Sequence, residues 1–176
     1  MLRFLAGFLL CLALALPAPA AAQVRLAFHS FNGSVMFGRW PHTFIVLEGT
    51  LDASGQPVKA NFGYTAVNAN ASVLQRSVKG TIWVEEDAQI VRTNRHFAVP
   101  ISDAQYHAIV AEVAKWRDDS GESYSLDRNN CVHFVARIAA MVGLKVDVPQ
   151  NLVRRPRAWL NLVSRLNPQL GAAEIR

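Results

Sequence analysis

The chain has 176 residues, 51% of them hydrophobic and 18% charged, with a formal net charge of +5. That is enough for one domain with its own core and too little for two. The basic excess is mild and, outside Arg154, Arg155 and Arg157, is spread along the chain. Without an array of basic and aromatic residues it argues against a nucleic-acid partner, and the arginine cluster reads as a solvated basic face before a contact to an anionic envelope surface.

From the start, Arg3 precedes an apolar run from Phe4 to Leu16, then Pro17-Ala18-Pro19 and Ala20-Ala21-Ala22 before Gln23. This is the pattern of a secretory signal peptide over residues 1–22, cleaved after Ala22. The apolar run is short for a bilayer span and no later segment is long enough, so no transmembrane segment is expected in the mature chain, residues 23–176. Its expected address is exported, periplasmic or secreted. Cleavage removes Arg3, which lowers the charge to +4, and Cys11, which leaves Cys131 alone of the two cysteines. No intramolecular disulfide is then possible and a free thiol remains.

Over the mature domain of about 154 residues, the hydrophobic period changes once. Val24 to Phe28 alternates as a strand, His42 to Leu47 is a compact β-rich run, Asn61 to Thr65 and Thr81 to Val84 are similar, and His96 to Ile101 closes the series. Asn32-Gly33, Asp52 to Pro57 and Glu86-Asp87 are turn signals between them, and Ala66 to Val78 reads as a loop. From Ser102 the signal is helical: Ser102 to Gln105 forms a capping box, and Ile109, Val113 and Trp116 share a face of a helix reaching Arg117. A second helix opens at Cys131, with Asn129 or Asn130 as its cap, Val135, Ile138 and Val142 on one side and Gly143 as its stop. Pro156 starts a third, through Trp159, Leu160 and Val163. Strands first and helices after predict a single α+β domain.

Cys131 is the residue that points to chemistry. A first helical turn offers unpaired N–H groups and the positive end of the helix dipole, which favour a thiolate and can hold an oxyanion; a small buried hydrophobe is the alternative for such a cysteine. Of five histidines, His42 is the best base, since it follows Pro41 at the mouth of a strand that would hold it rigidly. His133 lies two residues from Cys131 and points elsewhere on a helix, which suits packing or a structural hydrogen bond. His107 falls on a polar helix face, and His29 and His96 flank strands, where binding and simple exposure are both open.

A histidine leading a strand, followed much later by Asn-Cys-x-His-Phe-Val opening a helix, resembles the circularly permuted papain-like fold. That fold is shared by lecithin:retinol acyltransferase-type enzymes and the permuted branch of the NlpC-type thiol hydrolases. The matching segments are His42 to Gly49, Asn61 to Tyr64 and Tyr124 to Gly143, about half of the mature domain. The resemblance implies an antiparallel sheet packed against helices, a nucleophile at Cys131 on a helix N-terminus and a base at His42. It also implies a third polar residue at Asn61, whose amide oxygen would accept the imidazole N–H. Two departures weigh against lipid acyl transfer: Asn61 stands where the acyltransferases carry a second histidine, and Val132 replaces the usual acidic residue after the cysteine.

The expectation is an exported cysteine hydrolase cleaving an amide bond of a cell-wall peptide through a thioester, with peptidoglycan as partner and no cofactor. Trp40, Tyr64 and Tyr124 are expected to line its cleft. The alternatives are a lipid or acyl-ester hydrolase or acyltransferase on the same fold, and a catalytically silent envelope binding module. A metal site of Cys131, His133 and His42 would have three ligands at most and no recognisable zinc spacing.

Overall fold

A computed structural model describes residues 23–33, 40–68, 71–119 and 121–176; the signal peptide expected over residues 1–22 lies outside the described residues. The expected strands are all present, and all but β4 are longer than their apolar runs: β1 (Val24–Phe31), β2 (His42–Thr50), β3 (Pro57–Ala66), β4 (Gly80–Trp83) and β5 (Asn94–Ile101). They form one antiparallel sheet in the order β4-β3-β2-β1-β5. A one-turn helix, α1 (Asp87–Ile90), takes the place of the turn expected at Glu86-Asp87. Within the Ala66-to-Val78 region, residues 71–74 form a short 3-10 turn, and Val78 bridges to Tyr124.

Three longer helices follow: α2 (Asp103–Asp118), α3 (Cys131–Met141) and α4 (Pro156–Leu166). Because strand side chains alternate between faces, Leu26, Phe28, Ile45 and Leu47 project from one face of the sheet into a single core. There they meet Ile109 and Val113 of α2, Phe134 and Ile138 of α3, and Trp159 and Leu160 of α4. The other face carries a smaller cluster of Ala27, Phe44 and Val46, against which Ile90 of α1 packs. The helix starts obey local chemistry. Ser102 and Gln105 close the expected capping box on α2, and Pro156 occupies the first turn of α4, where a missing N–H costs nothing.

The cap of α3 is Asn130, and its side chain does more than start a helix. Its Oδ1 accepts from the Val132 and His133 N–H groups at 2.8 and 3.4 Å, while Nδ2 donates to the Leu126 carbonyl at 2.6 Å and the Val153 carbonyl at 2.8 Å. His133 completes the box by accepting from the Asn130 N–H through Nδ1 at 3.3 Å, the structural hydrogen bond expected of it. One buried amide thus ties the α3 start to the loops on either side. Asn130→Ala removes the cap and leaves two buried carbonyls without this donor, so a loss of about 2–3 kcal/mol is expected in urea denaturation, with the m-value unchanged.

Candidate functional site

Cys131 is the first residue of α3 and only 4% exposed. The backbone N–H groups of Thr43, Val132 and Cys131 itself point at its sulfur and favour the anion, yet burial outweighs them and pushes the thiol up to about 11. The position at a helix start predicts a stabilised thiolate; burial favours the neutral thiol instead. The Thr43 contact arises from sheet geometry. The β2–β3 ladder ends at the Phe44–Gly63 pair, whereas β3 continues to pair with β4 as far as Ala66 and Gly80. One residue past the end of that ladder, Thr43 turns its N–H to the sulfur at the start of α3.

His42 is the first residue of β2 and is 8% exposed. Its ring packs against Phe31, with centroids 5.7 Å apart, and stacks with Phe44 at 6.5 Å and 11°. It also lies over Gly63: a Cβ at that glycine would sit 2.4 Å from the His42 Nε2, a separation no real side chain tolerates. Gly63 is a mid-strand residue that makes room for the imidazole. A glycine inside a strand pattern is the signal of such a close approach.

His42 and Cys131 line one cleft of about 750 Å³ at the open end of the sheet, together with Trp40 and Tyr124. Asn61 is not a wall of this cleft. Its Nδ2 donates to the Glu85 carbonyl at 2.9 Å and its Oδ1 accepts from the Glu85 N–H at 2.7 Å, so both functions of the amide are engaged in holding the segment between β4 and α1. An orienting role toward His42 has to compete with these bonds. Tyr64 is a core residue and not cleft wall. It is 1% exposed, edge-on to Trp116 at 4.7 Å, with its hydroxyl 2.7 Å from Ser123 Oγ and its ring accommodated by Gly80.

The remaining wall was not legible beforehand. Val67 and Leu74 from the β3–β4 connection, Trp83 from the end of β4 and Leu126 before α3 make it strongly apolar, and Trp40, Val67, Leu74 and Trp83 are 46 to 55% exposed. Glu85, Glu86 and Arg154 supply its charges. Among the described residues no group of three or more His, Cys, Asp or Glu side chains is placed to hold a metal ion, and no helix is long and apolar enough to cross a membrane.

His107 is exposed on α2. His29 and His96, by contrast, are buried, with His29 Nδ1 2.9 Å from Thr93 Oγ1 and His96 Nε2 2.8 Å from Ser30 Oγ. Burial holds both rings down to about 4, helped for His29 by Arg95 and for His96 by Arg157. No known family model matches the chain, and no curated protein or solved structure shows significant similarity to it.

Two outcomes follow. Because His29 and His96 bind protons less readily folded than unfolded, the stability they confer is complete above pH 6.5 and declines as pH falls toward 4. Urea denaturation should therefore show stability falling between pH 7 and 5, with a flatter profile in the His29→Gln and His96→Gln variants. Gly63→Ala should keep the native far-UV circular dichroism but shift the His42 imidazole resonances in NMR, leaving those of exposed His107 unmoved.

Proposed function

We propose that the chain is an exported thiol hydrolase of the circularly permuted papain-like superfamily, acting on an acyl ester or amide through a thioester at Cys131. The observation that carries this reading is the convergence at the open end of the sheet. A cysteine at the first position of α3, whose sulfur is approached by three N–H groups, and a histidine on a strand end line one cleft. The chain order, with the histidine strand first, then the Asn61 strand, then the cysteine helix, supports the permuted assignment. The signal-like segment 1–22 supports export.

In the proposed reaction the Cys131 sulfur bonds to the acyl carbon, and the carbon's bond to its alcohol or amine breaks. His42 takes the thiol proton and passes it to the leaving group. Water then adds its oxygen to the thioester carbon, His42 returns the remaining proton to sulfur, and the acid departs. The N–H groups of Cys131 and Thr43 are the proposed donors to the oxyanion of both steps. Burial disfavours the thiolate, so His42 is the proposed acceptor of the Cys131 proton as the sulfur attacks.

The apolar wall favours an acyl group over the polar cell-wall peptide expected from the exported address. The high thiol pKa favours one competing reading, a catalytically silent binding module, and a single experiment separates the two. Incubation with a p-nitrophenyl ester of a medium-chain fatty acid should add one acyl group to Cys131, detected by mass spectrometry and released by hydroxylamine. Cys131→Ser should abolish the adduct, and His42→Ala should slow its formation about 100-fold or more. Acylation at an equal rate in His42→Ala would remove the base assignment, and no adduct in the wild type would leave the binding module.

A further inference from the structure

Of the three N–H groups that approach the Cys131 sulfur, those of Cys131 and Val132 belong to α3, and the turn capped by Asn130 sets them in place. Thr43 alone comes from the sheet, one residue beyond the last β2–β3 pair, Phe44 with Gly63. Its only paired neighbour is β1, where Ser30 stands opposite it and the pairing continues to Phe31 with His42. A residue of an antiparallel ladder sends its N–H and C=O to the same neighbour. A Thr43 N–H turned to Cys131 is therefore not spent on β1.

The side chain supplies the tie. Thr43 is fully buried, and its Oγ1 donates to the His29 carbonyl at 2.8 Å. Because a β-branched side chain is stiff at χ1, that bond orients the residue as well as the hydroxyl. The acceptor is itself anchored. Thr93 Oγ1 donates to the Ile90 carbonyl at 2.7 Å, and a hydroxyl has one proton to give, so its 2.9 Å contact with His29 Nδ1 runs from the imidazole N–H to the hydroxyl. The ring thus steadies His29 at the irregularity between Phe28 and His29 in the β1–β5 pairing. We propose that the Thr43 hydroxyl is a positioning group of the site: by holding residue 43 to the His29 carbonyl, it aims the Thr43 N–H at the Cys131 sulfur and at the charge that develops there during attack. The second part of this role rests on the thiol-hydrolase reading, and the first does not.

Two reactions of Cys131 test the two parts separately. Iodoacetamide reads the thiolate alone, since displacement of iodide builds no oxyanion, whereas the p-nitrophenyl ester reads both. In Thr43→Val, alkylation at a fixed, mildly alkaline pH is expected to be about tenfold slower than in the wild type, because a hydrogen bond to a charged group is lost. Acylation at saturating ester should be about 100-fold slower, with the half-saturating ester concentration unchanged. Thr43→Ser keeps the hydroxyl and should restore both rates. A merely structural hydroxyl would lower the urea midpoint of Thr43→Val without slowing alkylation of the folded protein. Thr43→Ala is read in place of Thr43→Val if the valine variant lacks native near-UV circular dichroism. Alkylation at the wild-type rate in the variant without the hydroxyl, or Thr43→Ser as slow as that variant, overturns the inference. Loss of the native near-UV signal in both Thr43→Val and Thr43→Ala overturns it too, by making the hydroxyl a requirement of the fold. The expected alkylation pattern in a wild type that is never acylated would support the aim of Thr43 at the sulfur and sink the hydrolase reading instead.

Discussion

The parting of β2 from β3 beyond the Phe44–Gly63 pair is the constraint from which the site follows. Where two antiparallel strands separate, backbone groups lose their ladder partners and need others. Here the Thr43 N–H is one of the groups that favour negative charge on the Cys131 sulfur at the start of α3. The same opening leaves Gly63 facing the strand end, and its missing side chain admits the His42 ring. β3 meanwhile continues on to β4, so the gap widens into a cleft without breaking the sheet. Cys131, His42 and the cleft they line are thus brought together by one departure from regular pairing.

The electrostatics of Cys131 set two effects against each other. A helix N-terminus is worth about 0.3–1 kcal/mol to an adjacent anion, less than one pKa unit, since a unit corresponds to about 1.4 kcal/mol. Loss of water around a fully enclosed thiolate costs more than the helix and the three N–H donors return. A neutral buried thiol resists adventitious oxidation, which attacks the exposed thiolate, a useful property for a free cysteine such as Cys131. In the proposed reaction the N–H groups around the sulfur would have their largest effect as charge develops during attack.

The fold was largely legible in the chain because its signals are local and repeat. Period-two runs became β1 to β5, and the Ser102 capping box, the asparagine before Cys131 and Pro156 each marked a helix start within a residue. What stayed hidden depends on contacts between residues distant in sequence. Tyr64 alternates with the strand and could face either way; the packing of Trp116 and Phe134 decided that it faces the core. The engagement of Asn61 by Glu85, and the burial of His29 and His96 at the β1–β5 irregularity after Phe28, were set by register. Cleft residues such as Val67 and Leu74 lie in connections without period, where a hydrophobic pattern carries no directional information.

The α3–α4 connection links the cap of α3 to an ion pair at the surface. Val153 accepts from the Asn130 amide that caps α3, and the next residue, Arg154, holds Asp127 through two hydrogen bonds of 2.8 and 2.7 Å. Both partners of that ion pair keep 48% of their side-chain surface in water, so the pair is worth no more than about 1 kcal/mol. So exposed a pair can exchange partners at small cost. The Asn130 amide, with four hydrogen bonds and 2% exposure, has no such freedom. The connection therefore has a fixed end beside Cys131 and an exchangeable end at Arg154.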